Sequence, residues 1–363
     1  MSKKQAKPPY VSMNLWRKLY LAAMEYQRLL PWKILSEDDL FALHDPISNK
    51  NHYCCVLGEA GEFLGLTLYR GREGLEMHLK IKENDSHLDE SDLIELYDAI
   101  VVEFCKRKDL EKPDLKIVKS LGFEIPRHEL HPHFRSHLPG LTPWFLSTEE
   151  VELLTLALQF ATHHIKQCIN DPNFIKSSRK KGEYLLYRQI DHTTTWETTW
   201  HQIVKLPAKQ FESPPLDQEK IWVLKGKAIS PDFLWEAATF LIPEQIIFDS
   251  DRPYFLRSVM LAEHDSGLII DAEPVPSSSC PYLSLRNEVI SNLEACEQLP
   301  SGILVRNANA FNVLAPILKP LGIKLELRPF LPAISQAQAY LATAEEGDFS
   351  PAFAGEGPDE YPD

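Results

Sequence analysis

Apolar residues recur at three- and four-residue steps from Leu15 through Leu19, Ala22, Tyr26 and Leu29 until Pro31 interrupts them, which predicts an amphipathic helix over residues 15–30. The period then changes. After a short acidic turn or helix at 36–43, HYCCVLG and EFLGLTLYRG form two β-branched and aromatic runs separated by Gly58, Glu59, Ala60 and Gly61, which predicts a β-hairpin. Helical spacing returns in Leu93, Ile94, Tyr97, Ile100, Val101 and Phe104, so a helix over 88–105 is expected to pack on that hairpin. Residues 127–144, RHELHPHFRSHLPGLTPW, carry no sustained period and read as an ordered loop. Ser147, Thr148, Glu149 and Glu150 then start a capped helix to 169, and runs at 184–190 and 196–206 predict a second hairpin around Asp191 and His192.

The short, polar, proline-bearing stretch PAKQFESPPLDQ at 207–218 reads as a linker. Beyond it the pattern predicts a strand at 221–224, a helix at 233–241 and a short apolar run at 245–248. A hairpin follows in SVMLAEHDSGLIIDAEPV, with Asp265, Ser266 and Gly267 at its turn. A helix at 285–296, the strand GILVRN, a helix at 310–321, the strand IKLELR and a helix at 334–344 complete it. The expected fold class is α+β: an N-terminal hairpin-plus-helices domain over 10–206 and, over 219–344, a C-terminal α/β domain with a mixed sheet. Residues 345–363 read as an acidic disordered tail.

The 363 residues include 38 Lys and Arg against 52 Asp and Glu, a net charge of -14, which makes nucleic acid a poor expected partner. Seven of the acids lie in the last 19 residues, which contain no Lys or Arg, so the body is only mildly acidic. The basic N-terminus lacks the apolar stretch of a secretory signal and no window is apolar enough to span a membrane, so neither export nor a membrane partner is expected. Six cysteines without a CxxC pair read as reduced thiols, and a cytoplasmic setting follows.

Pro31-Trp32, the hairpin YCCVLGEAGEFLGLTLYRGREGL and the stretch HFRSHLPGLTPWFL together resemble a bacterial family of two linked domains with no assigned activity. HDSGLIIDAEPV and LPSGILVRNANAFNVLAPILKPLGIKLEL are similar to its second domain. The resemblance spans most of residues 10–345. It implies the two-domain map and supplies no catalytic residues.

The densest chemical signal is His128, His131, His133 and His137, since neutral imidazole is a common ligand and these four could converge on a divalent metal ion. In an extended segment, however, only residues two apart share a side, and Pro132 interrupts the run. The plainer reading is structural cover, with Arg135 bonding to backbone. Gly58, Gly61, Gly65, Gly71 and Gly74 lack the strand, loop and helix context of a phosphate site and are expected to serve turns. The C-terminal order is reminiscent of an RNase H-like core, whose strand-end carboxylates hold metal. Glu263, Asp265 and Asp271 are candidates, but GILVRN delivers Arg306, Asn307 and Asn309 where an acid is needed, so such a fold would lack its carboxylates. No thiol–imidazole pair stands out among the six cysteines, the tryptophans read as core anchors, and KSSRKK at 176–181 reads as a solvated loop.

The leading expectation is a cytoplasmic, non-enzymatic protein that binds or regulates a protein or small-ligand partner and holds no cofactor. The alternative is a metal-dependent hydrolase or nuclease using the histidine stretch or the C-terminal carboxylates.

Overall fold

The computed structural model describes residues 7–82, 90–123, 126, 129–174, 182–189, 196–203, 214, 218–248, 250–276 and 279–344. The chain forms two compact units: Met1–Ala208 with Ile247–Tyr254, and Lys209–Ile246 with Phe255–Asp363. Most of 207–218, the KSSRKK run, the turn at Asp191 and His192, His128 and the 345–363 tail lie outside the described residues. Among those described, no helix is long and apolar enough to cross a membrane.

The first unit begins with α1 (Met13–Arg28), then β1 (Phe41–Asp45), β2 (Lys50–Leu57), β3 (Gly65–Tyr69), α2 (Gly71–Lys82), α3 (Glu90–Leu96) and β4 (Ala99–Cys105). It continues with α4 (Lys112–Leu121), β5 (His131–His137), α5 (Thr148–Asn170), β6 (Glu183–Gln189) and β7 (Trp196–Gln202). The predicted hairpin is present as β2 and β3, and it forms the centre of a larger sheet ordered β5-β4-β3-β2-β1-β6-β7, with β1 and β6 parallel. One sheet face buries Phe41, Leu43, Cys54, Val56, Leu66, Leu68, Ile100 and Val102 under α1 and α5. The opposite face buries Ala42, Tyr53, Cys55, Tyr69 and Ala99 with Leu75 of α2. Alternation along the strands, one residue in and the next out, produces this division. Gly65 allows β3 and β4 to close, because a Cβ there would stand 2.2 Å from the Val102 carbonyl oxygen. Gly58 takes φ 120 in the β2–β3 turn.

Three expectations in this unit are corrected. Residues 99–105 are a strand rather than the end of a helix: the β-branched run AIVV alternates in burial, and only 90–96 stays helical. The histidine stretch is not a loop but the edge strand β5, paired antiparallel to β4 from Cys105 opposite His131 to Ala99 opposite His137. Its alternation escapes a hydrophobic reading because nearly all its residues are polar. Residues 41–45 add the strand β1, where an acidic turn or helix was expected.

The second unit contains α6 (Gln218–Lys225), β8 (Ile229–Ile247), β9 (Tyr254–Glu263), β10 (Ile269–Val275), α7 (Pro281–Ala295), β11 (Leu299–Val305), α8 (Ala308–Leu321), β12 (Lys324–Leu327) and α9 (Pro332–Ala344). Its sheet runs β10-β9-β8-β11-β12, with β11 parallel to both β8 and β12 and β10 antiparallel to β9. Two expectations are inverted here. IWVL lies on α6, where Ile221 and Leu224 are buried and Trp222 and Val223 are exposed. The supposed helix at 233–241 belongs to β8, a central strand buried on both faces and therefore nearly continuous in apolar residues. Trp235 and Ala237 pack with α6, α7 and α8, while Phe240 and Ile242 pack with Leu331, Ala333 and Ile334 beside α9. Three helices thus cover one face and one covers the other.

Candidate functional site

On β5 the strand period sets His131, His133, Arg135 and His137 on one face, so the sequence-predicted ligands that are described do share a side. They meet different partners. His131 is fully buried, and neither ring nitrogen has a hydrogen-bond partner among the described residues. Burial also lowers its pKa. His133 stands 3.9 Å from Asp114 and 3.9 Å from Glu103, and burial, with Arg135 next, lowers its pKa. His137 packs its ring 4.4 Å from that of Tyr97, and burial, then Arg252 and Arg70, push its pKa down to about 4.

Glu111, Asp114 and His133 each offer one ligand atom within 4.8 Å of the others, a grouping that brings α4 into a site the sequence placed on the histidines alone. Arg135 occupies its centre. The guanidinium donates to Asp114 at 3.1 and 2.8 Å, to Glu111 at 2.6 Å and to the Phe134 carbonyl oxygen at 2.7 Å, and it lies 4.4 Å over the Phe145 ring. Asp114 also accepts from the Glu111 backbone N–H in the capping box of α4. A divalent ion would have to displace a cation that already pairs with both carboxylates, with Asp114 in bidentate geometry and with Glu111 through one oxygen.

A second charged cluster lies at the other end of β5. Arg70 donates to Asp98 at 2.6 Å, to Glu150 at 2.5 Å and to the His137 carbonyl oxygen. Ser136 donates to the same Glu150 oxygen at 2.5 Å, and the other Glu150 oxygen accepts from the Ser147 N–H that opens α5. Arg252 donates to the Ser136 and Thr142 carbonyl oxygens at 2.6 and 3.0 Å. Burial lowers its pKa to about 10, which leaves it charged at neutral pH. Ser136 is fully buried and hydrogen-bonded, so it is an anchor and not an exposed nucleophile.

Two other constellations mimic catalytic sets. Asp45, Ser48 and His52 meet in the β1–β2 turn, but the Gly71 N–H donates to His52 Nδ1 at 3.3 Å, which leaves the imidazole proton on Nε2, the nitrogen that faces Ser48 at 3.4 Å. That nitrogen cannot accept a proton from the hydroxyl, which donates to Asp45 at 2.5 Å. On α5, Cys168 Sγ is 3.8 Å from His164 Nε2, and Tyr187 lies 2.6 Å from Nδ1. Burial drops His164 to about 3 and raises Cys168 to about 12, so both are neutral and the thiol is not activated.

In the second unit, Glu263 caps the β9–β10 turn by accepting from the Asp265 and Ser266 N–H groups, at 3.4 and 2.6 Å. Asp271 bonds Asn292 of α7 at 2.6 Å, and Asn307 caps α8 through Ala310 N–H at 2.9 Å. The carboxylate that sequence reading missed is Glu236, hidden by the helical reading of β8. It is fully buried, lies 2.6 Å from His264 Nδ1 and accepts the Ile334 N–H of the first turn of α9 at 3.0 Å. Its charge meets the positive end of that helix. Among the described residues, no grouping of three metal-ligating side chains occurs in this unit.

Beside α9 the sheet face remains open as a groove of about 670 Å³. Ile242, Leu256, Met260 and Ala272 form its sheet side and Ala337 and Leu341 its helix side. Its polar lining is Gln245, Ser258, Ser266, Gln336 and Tyr340, with no Asp, Glu, His, Cys, Lys or Arg among the described residues. That size and mixture suit binding, and the lining has no general acid or base near neutral pH.

Residues 16–188 match the family described as Domain of unknown function (DUF7309), and residues 223–342 match Domain of unknown function (DUF6930). No curated relative matches the chain. Among solved structures, the catalytic core domain of BIV integrase is similar at 18% identity, over 33% of this chain and 74% of that chain, with a TM-score of 0.23. A likeness at that level carries no argument about activity.

Proposed function

We propose that this chain, which joins a DUF7309 domain to a DUF6930 domain, is a non-catalytic binding or regulatory protein whose second unit takes an uncharged apolar ligand into the groove beside α9. The observation that carries the reading is a groove of ligand size whose described lining residues are uncharged and largely apolar. Elsewhere Glu236 is committed to a helix cap, Glu111 and Asp114 to ion pairs with Arg135, and Cys168 and His164 to a buried neutral pair. A cytoplasmic setting fits six free cysteines, and the charge of -14 disfavours nucleic acid as partner.

The test is titration of the full chain with a neutral, polarity-sensitive naphthylamine dye. Saturable binding that Ala272→Arg weakens at least tenfold supports the reading, since Ala272 is exposed on the groove wall and tolerates a charge without disturbing the core. Binding indifferent to that charge, or no saturable binding, overturns it.

The other reading, a metal-dependent hydrolase or nuclease, would draw on Glu111, Asp114 and His133. It requires a metal that competes with Arg135. Stoichiometric Zn or Mn in purified protein, lost in His133→Ala while the fold persists, would favour it.

A further inference from the structure

The groove beside α9 follows the length of that helix, from Ala333 through Gln336, Ala337 and Tyr340 to Leu341. At 1.5 Å per residue this wall is about 12 Å long. Apolar residues beside it are exposed, Leu268 by 66% and Ile269 by 37%. α9 ends at Ala344, one turn beyond the last groove residue, and the sequence continues for 19 residues. These begin with Glu345, Glu346, Gly347 and Asp348 and then run Phe349, Ser350, Pro351, Ala352, Phe353, Ala354, the one uncharged apolar stretch in an otherwise acidic segment. At about 3.3 Å per extended residue, Phe349 can lie up to about 17 Å from Ala344 and Phe353 up to about 30 Å. A chain that reverses at Gly347 covers about 20 Å to Phe353, enough to lay that ring along the wall and to leave Phe349 near its Leu341 end. The match is also one of charge, because the described residues of the groove lining hold no ionised side chain and the stretch 349–354 holds none, while the acids on either side can stay in water.

We propose that residues 349–354 of this same chain are the resident occupant of the groove and compete there with any external ligand, an inference that rests on the groove being a binding site. A tethered occupant acts at high effective concentration, so it weakens a free ligand without abolishing its binding.

The experiment compares dye titrations of four full-length proteins: wild type, Phe349→Asp with Phe353→Asp, Ala272→Arg, and the combination of all three. The inference expects the double tail variant to bind dye at least tenfold more tightly than wild type and the combination to lose that binding. A synthetic peptide of residues 345–356 should displace dye from the double tail variant, and the same peptide with both phenylalanines changed to Asp should not. Equal dye affinity in wild type and tail variant, with Ala272→Arg still disruptive, overturns the tail inference and leaves the groove reading standing. Binding insensitive to Ala272→Arg, or absent in wild type and tail variant alike, sinks both. A gain in the tail variant that falls away as protein concentration rises assigns the groove to a second copy of the chain, which also overturns the inference.

Discussion

The β5 edge of the first unit and the groove of the second are opposite in chemistry and in how far their side chains are already partnered. The edge concentrates three described histidines, two arginine-centred ion clusters and a buried serine, the residues from which active sites are built. Arg70 and Arg135 there meet carboxylates at hydrogen-bond distance and burial lowers the pKa of the neighbouring histidines, so the two clusters lock a strand edge to the start of α4 and of α5. The groove holds alanines, two isoleucines, two leucines, a methionine and glutamines, and apolar groups at its rim are exposed. Chemical potential in a sequence and free valence in a structure are different quantities. A site needs the second.

The comparison breaks first at Glu150. Glu150→Ala removes the carboxylate shared by Arg70, Ser136 and the first turn of α5 and leaves buried positive charge uncompensated, so urea unfolding should show a loss of about 3–5 kcal/mol. A loss below about 1 kcal/mol would mean that the edge is not held by its charges. Arg135→Met sharpens the contrast. It should cost about 3 kcal/mol and release Glu111, Asp114 and His133, so zinc should bind the variant measurably by calorimetry and restore part of the stability, while wild type binds far more weakly. Equal zinc affinity in both would show that the arginine does not occupy the site.

Acid should act on the first unit through its buried histidines. His78 is buried, with Nε2 unpaired among the described residues, and burial lowers its pKa to about 4. Between about pH 6.5 and 4 the unfolded chain takes up a proton that the folded chain refuses, so stability falls as pH falls through this window and levels off above it. His78→Leu should remove about 1–3 kcal/mol of that acid loss, read from urea midpoints at pH 7 and 4.5. An unchanged difference between the two pH values would contradict the assigned burial effect. The smallest effect on stability belongs to Ala272→Arg, within about 0.5 kcal/mol, since the residue is exposed, although its effect on binding is large.

The fold was legible where one period ran unbroken. Leu15 to Leu29 marked α1, the glycine-flanked runs marked β2 and β3, and the alternation after Ser258 gave the correct order of β9, β10 and the elements that follow. It was illegible where burial on both faces removed the period, as in β8, or where polar residues filled both faces, as in β5. Four apolar residues in a row on α6 looked like a strand because a helix of only eight residues gives its period little room. The candidate site was less visible still. Of the histidines singled out as ligands, only His133 joins a metal-ligating grouping among the described residues; its partners Asp114 and Glu111 come from another element, and Glu236 was concealed inside a misread strand. The groove had no sequence signal, since it is defined by what α9 leaves uncovered.

The most direct test of the account is methyl NMR of the full chain during titration with the neutral dye. The account predicts saturating shifts at Met260, Ala272, Ala333 and Ala337, which line the groove, with the methyls of Val101 and Val102 beside β5 unmoved. Shifts gathered around β5, with the groove methyls silent, would contradict it.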